Sequence, residues 1–544
     1  MNPAIISLYT PLDTPVPGVK TTLLSIIRRP LEPRDPLSTG PASERIKVVS
    51  ADIRQSCSRP QLSEKCMSVL SKNYRDLLTQ IGPMNRVHNG DEMALAVQAL
   101  EEFSQTLGRG KTIVHTYDPG TIWNHWIVPK RWKVRDFRVT GPDGQTIVSK
   151  ADHPLALCPY SNPVDTKINL TDLIAKTLTH DDRPDTYAFY FARMYRHWEP
   201  GWNISLPKNV IDALPEGEYH VLIDTILTDE PMQVFEYMIE GRRPDTVVIP
   251  AHLDHPGMIN DSLSGCIVAL QLAEFLAKEN TEYTYKVWLL PEIIGSAVHL
   301  KANEDLIPNI KYALCPNMSA HNAPLAMCMS KSETSILDLA LRLALRESNH
   351  EHVIDSFHKY PDCGDEISFD TVGYGIPATT LSRIGEMFKY YHSSGDSVEN
   401  FLQADWQKRH SDYVAIMKKA LTYLERNRVI RPLFSGNPCL SNPDIDLYLS
   451  PSNINNLRVK DGVLKSLSGG NIDPRNFMEF FLDAIGRGNV SIVEIADAAD
   501  TSFEFVATYV QKFEERGLAQ LEPITRNHRL AVIANTALTG AELV

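Results

Sequence analysis

The stretch Thr246–Ser264, TVVIPAHLDHPGMINDSLS, constrains what this chain can fold into more than any other. Four apolar or β-branched residues, Thr246–Ile249, read as a short buried strand. His252 and Asp254 follow at its end, then Asp261, and Ser264-Gly265 opens a long apolar helix. In open α/β sheets ligands bind beyond the carboxyl ends of the strands, so chemistry is expected here. Histidine and carboxylate side chains gathered at such a point suit a divalent metal, above all zinc. Residues i and i+2 of an extended strand point the same way, which lets His252 ligate a metal while Asp254 sits beside it and orients it. The plainer alternative is a polar loop after a strand. Against it, three ionisable groups crowd a loop otherwise built of small and apolar residues.

The rest of the chain sets the context. At 544 residues it is too long for one core, and two to four domains are expected. Its 43% hydrophobic and 22% charged content is that of an ordinary soluble globular protein. A net charge of −13 argues against a general nucleic-acid binder, which needs a cationic face. Eight scattered cysteines without a CxxC read as free thiols in a reducing compartment rather than a disulfide framework. No run approaches the roughly 18–20 apolar residues of a membrane span. The opening MNPAIISLYTPLDTPVPGVK is broken by prolines and lacks an early basic cluster, so a cytoplasmic location is expected.

In order, residues 1–62 read as an extended leader rich in Pro, Ser and Arg. Two helices follow from about Ser63, the second started by Asp91 and stopped by Gly108. Residues 112–240 alternate short β-like runs with turns such as GPDG, and read as an inserted small β domain. Its aromatics, Trp123, Trp126, Trp132, Phe189, Tyr190, Trp198 and Trp202, serve either as that domain's core or as a wall over the site. From 241 to 428 strands alternate with helices. Together with residues 63–111 they predict an α/β domain, a mostly parallel sheet with helices on both faces. Residues 429–470 read as a linker. Residues 471–544 run helix, helix, turn, helix, wing, with Thr501 and Glu504 as a capping box, and predict a winged helix-turn-helix domain. Its eleven Asp/Glu against six Lys/Arg leave −5, the wrong sign for phosphate neutralisation, so packing or oligomerisation is expected of it.

Several pieces together carry a resemblance: HLD, MINDSLSG, Glu292 ending the next predicted strand, and KYYHSSGDSVENF with His392. The set resembles the zinc aminopeptidase family of co-catalytic metallopeptidases. Within it the chain looks most like bacterial aminopeptidase-like proteins with an inserted β domain and a C-terminal winged helix. The resemblance spans about residues 70–540 and implies an aminopeptidase-like fold for the α/β domain. It implies that Asp261 is the carboxylate able to bridge two metals and that His392 is the last ligand. The family's paired glutamates are here Glu292 and Ile293, which leaves Glu292 either general base, taken first, or ligand. A further acid expected after KYALCPNMSAH is missing, with Asn317 and His321 in its place. The expected set is therefore a single zinc held by His252, Asp261 and His392, with a second zinc left open.

Around that set, Asp254 and Glu292 are the expected catalytic groups. Asp365 and Glu366 are expected as orienting residues or as contacts for a substrate ammonium. Arg383 is expected to hold a substrate carboxylate or a structural ion pair. Tyr391, or its neighbour Tyr390, is expected to donate to an oxyanion or simply to pack. Asp396 with Glu399 is expected to cap the next helix. The resulting expectation is a zinc-dependent hydrolase cleaving an amide in a short peptide or aminoacyl-like small molecule. The alternatives are a non-catalytic aminopeptidase-like binding or regulatory protein, and an amidase or deacylase. A small substrate and no membrane partner are expected, and a homo-oligomer stays open.

Overall fold

A computed structural model of the protein describes residues 70–357, 364–449 and 474–524. The expected leader, Cys57, Cys66 and Cys363, half of the expected linker (450–470) and the end of the expected wing lie outside them. Among the described residues an eight-stranded mixed sheet is the spine of the molecule. Helices α1 (Lys72–Ile81) and α2 (Asp91–Ser104) lead into strand β1 (Lys111–Tyr117). A separate antiparallel sheet follows, made of β2 (Arg131–Thr140), β3 (Thr146–Ser149), β4 (Val164–Asn169) and β5 (Glu218–Thr228) in the order β3-β2-β5-β4.

The chain then returns to the large sheet with β6 (Met232–Ile239), β7 (Thr246–His252), β8 (Thr284–Leu290), β9 (Ile310–Pro316), β10 (Leu325–Cys328), β11 (His352–Asp355) and β12 (Ala378–Arg383). The large sheet runs β1-β6-β8-β7-β9-β12-β10-β11. Its centre, β8-β7-β9-β12, is parallel throughout, and β1, β6 and β10 pair antiparallel. Helices α3 (Leu263–Leu276), α4 (Ile294–Ala302), α5 (Ile336–Arg346) and α6 (Ala404–Arg426) connect and cover it. Every residue of β7 is buried, as a central strand covered on both faces requires.

Two expectations change. The runs at 112–117 and 232–239, assigned from sequence to the inserted β domain, are strands of the large sheet, β1 and β6. Period-2 alternation marks a strand without saying which sheet it joins, and only the pairing partner decides that. The four-stranded sheet between them has its own hydrophobic cluster around Trp132, Phe137, Tyr160 and Tyr219. The other change concerns capping. Ser502, not Thr501, accepts from the Phe505 amide at the start of α9 (Phe503–Glu515), and Ser397 caps the short helix Val398–Phe401 in place of Asp396.

At the C-terminal end, β13 (Arg428–Pro432) is the middle strand of a three-stranded antiparallel sheet with β14 (Val490–Ser491) and β15 (Ala519–Pro523). Helices α7 (Pro474–Gly486), α8 (Ile492–Ala498) and α9 complete this unit. Arg342 of α5 pairs with Asp497, and Arg426 of α6 pairs with Glu504. Phe503 stacks on Tyr423 with ring centroids 4.4 Å apart. The first turn of α9 is thus spent on α6. Among the described residues no helix is long and apolar enough to cross a membrane.

Candidate metal centre

The site is built where β7 and β8 end. His252 is the last residue of β7, and Leu253 continues it by donating to the Leu290 carbonyl of β8. The loop from Asp254 to Ser262 then turns back under the sheet edge. Gly265 lies so close to β9 that a Cβ there would overlap the Pro316 carbonyl oxygen, which is why glycine heads this helix. Ser262 Oγ donates to the His252 carbonyl and Ser264 Oγ to that of Asn260, 2.7 Å away, so the loop is fastened to both neighbours.

Five side chains converge here. Asp261 Oδ1 lies 3.5 Å from His252 Nε2 and 3.3 Å from His255 Nδ1, while its Oδ2 lies 3.2 Å from His392 Nε2. Glu292 Oε1 lies 3.9 Å from His252 Nε2, and its Oε2 lies 3.4 Å from His255 Nε2. Ligand atoms of His252, His255 and Glu292 lie within 4.8 Å of one another, and so do those of His255, Asp261 and His392. His252, Asp254, His255 and Asp261 are each at most 4% exposed. His252 Nε2 and Asp261 Oδ2 are buried without a hydrogen-bond partner. Orphaned buried groups of this kind are costly, and a cation between them would satisfy both.

The charges are strongly coupled. Burial alone would lower the imidazole of His252 and raise the carboxyl of Asp261. Mutual attraction outweighs it, so His252 and His255 titrate well above, and Asp261 well below, their ordinary values. Burial also raises Glu292, but the His252 and His255 rings bring it below the ordinary range.

The supporting groups have distinct tasks. Asp254 turns away from the cluster's centre. Its Oδ1 accepts from the Glu292 amide at 2.9 Å, and its Oδ2 lies 3.1 Å from His88 Nε2. Although burial would raise its carboxyl, His88 and the cluster imidazoles hold it at about 2. Asp365 accepts from the Ile293 amide and Ser296 Oγ and lies 3.7 Å from His252 Nδ1. Burial raises its carboxyl, and raises that of Glu366 to about 7. Asp396 accepts from the Asn260 and Asp261 amides at 2.7 and 2.8 Å, which positions Asp261. Burial pushes its carboxyl up to about 7.

Arg383 donates to the carbonyls of Ser319, Ala323 and Arg409, so those donors support the fold. Tyr391 stacks on the His392 ring at 4.0 Å. Asn317 uses its Oδ1 on the Met318 amide, and His321 packs against Phe388.

Four groups were missed from sequence. His255 follows the motif by one residue, and the HLDH spacing was its available signal. Arg86 is fully buried and donates to the carbonyls of Ile81, Gly82, Leu253, His255 and Met258. Tyr195 donates to Glu292 Oε2 at 2.6 Å, and His88 abuts Asp254. Nothing local in the sequence marks those three. Of the aromatics expected as a wall, Phe189 meets the rings of His255 and His392 at 5.2 and 5.3 Å, and Phe191 joins it on His392. Trp132 lies in the core of the small sheet, while Trp123 and Trp126 pack against a separate cluster that includes Ile294 and Val298.

Residues 75–427 match a family described as a domain of unknown function (DUF4910). Over 394 residues, 72% of this chain and 84% of the relative, the chain is 26% identical to a Clostridium acetobutylicum protein. That relative is provisionally described as a polysaccharide biosynthesis protein with an aminopeptidase-like domain. A crystal structure from Clostridium acetobutylicum, provisionally described as a peptidase, superimposes with a TM-score of 0.67 at 22% identity. It covers 82% of this chain and 96% of that one, and establishes the fold. A zinc aminopeptidase from Bacillus subtilis aligns with a TM-score of 0.48 at 13% identity, over 65% of this chain and 95% of its own.

Proposed function

The chain belongs to the DUF4910 family, and we propose that it is a zinc-dependent hydrolase of the aminopeptidase type, cleaving an amide bond in a short peptide or an aminoacyl-like small molecule. The observation that carries this reading is the buried convergence of His252, His255, Asp261, Glu292 and His392, in which His252 Nε2 and Asp261 Oδ2 make no hydrogen bond. Its histidine and carboxylate donors are those zinc takes. A divalent ion held there supplies Lewis acidity and a water acidic enough to act near neutral pH.

The chain's own groups do the rest. Asp261 presents one oxygen to His252 and His255 and the other to His392, an arrangement suited to one ion or two. His255 supplies a donor in both groups. Glu292 is the proton acceptor. Asp254 holds its amide, and Tyr195 keeps one of its oxygens occupied and the other free to take a proton. Phe189 and Phe191 press on the imidazoles from the side of the small sheet and exclude water there.

The C-terminal unit serves packing rather than nucleic-acid reading, since Glu504 of its last helix is paired with Arg426. The likeness to the Clostridium acetobutylicum relative extends the range of substrates to a biosynthetic intermediate bearing an amide.

Zinc content and aminoacyl-amide hydrolysis test the reading together on wild type, His252→Ala and Glu292→Gln. We expect zinc to fall in the first variant, and hydrolysis to be lost with zinc kept in the second. A chain that takes up no zinc at this cluster would overturn the reading. One that holds zinc there but hydrolyses no amide would favour a binding role.

A further inference from the structure

A second group of ligand-type side chains lies on the large sheet and shares no residue with the centre just described. His115 on β1, Glu236 on β6 and His299 on α4 bring their ligand atoms within 4.8 Å of one another. Glu236 pairs with Ile113 on one side and Trp288 on the other, so β1, β6 and β8 all meet at this point under α4. His115 Nε2 lies 3.4 Å from Glu236 Oε2, and His299 Nε2 lies 4.0 Å from the same oxygen. The two imidazoles are 4.5 Å apart, centroid to centroid.

Three features separate this group from an ordinary buried ion pair. First, His115 Nε2 and His299 Nε2 are both buried without a hydrogen-bond partner, although His299 and Glu236 have no exposed surface at all. Second, the other ends of the ligands are held. His299 Nδ1 is 2.5 Å from the Tyr117 hydroxyl, and Glu236 Oε1 accepts from Lys286 at 2.9 Å. An imidazole fixed through Nδ1 with Nε2 free is how metal-binding histidines are oriented. Third, donors about 2.0–2.2 Å from a tetrahedral zinc stand roughly 3.3–3.5 Å apart, so the two observed separations need only small side-chain movements. Glu236 Oε2 also accepts from Trp288 Nε1 at 2.8 Å, which leaves it one lone-pair direction for a cation.

We propose that His115, Glu236 and His299 form a second metal site, for a borderline divalent cation such as zinc, with the fourth position left to a ligand that is not a protein side chain. Its donor set, two imidazoles and one carboxylate, selects zinc or a neighbouring transition ion over magnesium or calcium. The ion ties β1 and β6 at the sheet edge to α4. That helix begins two residues after Glu292, so the site stiffens the turn that carries the catalytic carboxylate.

The test uses the full-length chain, stripped with a chelator and dialysed against zinc, with elemental analysis as the readout. The double variant His252→Ala/His392→Ala is expected to retain one zinc per chain, and adding His115→Ala is expected to remove it. Cobalt in place of zinc should give the double variant the visible band of a four-coordinate ion, lost on the same substitution. His115→Gln, which keeps a polar side chain at this edge position, repeats the loss in a second form, and circular dichroism confirms the fold of each variant. A double variant that binds no zinc, or equal zinc with and without His115, would overturn the proposal and leave the imidazoles as a wall for the Glu236–Lys286 pair. If instead His252→Ala/His392→Ala keeps every zinc of the wild type and adding His115→Ala removes it, the catalytic-centre reading fails and this one stands.

Discussion

Arg86→Met tests the architecture of the loop that carries the candidate centre. Arg86 has no exposed surface, and burial draws its guanidinium down to about 10. It makes five hydrogen bonds of 2.6–3.0 Å, to the carbonyls of Ile81 and Gly82 at the end of α1 and of Leu253, His255 and Met258 in the loop. Ile81 and His255 also receive weaker backbone donors, the amides of Met84 and Met258 at 3.2 and 3.4 Å. The Gly82, Leu253 and Met258 carbonyls therefore bear most of the loss. At about 1–3 kcal/mol for each buried group left unsatisfied, three carbonyls give about 3–9 kcal/mol. Methionine avoids the desolvation of a buried cation and fills much of the volume, so the net loss should lie near the lower end, about 3–5 kcal/mol. Urea unfolding of the metal-free chain measures it. A loss below about 1 kcal/mol would refute the claim that Arg86 clamps the loop. The expected loss of about 3–5 kcal/mol with unchanged zinc affinity would show that the clamp does not position His255.

Three further outcomes are expected. Asp396→Asn leaves one acceptor for the two amides that hold Asp261, and should weaken zinc binding about 10–100-fold in a chelator-competition titration; equal affinity would remove Asp396 from the site's support. Tyr195→Phe removes the hydroxyl that favours ionised Glu292, so the acid limb of amide hydrolysis should move up by about one pH unit, and an unmoved profile would count against Glu292 as the base. In the metal-free chain burial opposes but does not cancel the pull of Glu292 and Asp261, so His252 and His255 titrate above 6.5. Their contribution to stability is full below that value and is lost as pH rises through the raised folded values. Zinc must displace those protons, so the thermal stabilisation it confers should grow between about pH 6 and about pH 8.5; a shift that shrinks with pH would contradict the ligand set.

Local pattern alone marked the buried strand at Thr246–Ile249, which the structure extends to His252, the apolar helix that opens after Asp261, and the emergence of Glu292 on the same edge as His252. It did so because a parallel strand covered on both faces leaves an uninterrupted apolar run. The loop after such a strand must then carry whatever polar chemistry the fold supports. His252 and Glu292 were singled out for that reason, each at the end of a strand, whereas the roles expected of Asp261 and His392 came from the resemblance of their motifs to the zinc aminopeptidases. Tertiary structure decided what sits between them.

His255 enters because its loop is folded back by Arg86. Tyr195 and His88 arrive from segments whose own sequence gives no hint of the cluster. Asp396, which looked like a helix cap, is drawn instead to two amides of a loop far away in the chain. A carboxylate accepts from whichever amides packing presents, and spacing along the chain does not encode that choice. The same holds for β1 and β6. Their alternation announced strands, but only hydrogen-bonded register, set by which neighbour buries the matching face, assigned them to the large sheet and brought His115 and Glu236 under His299.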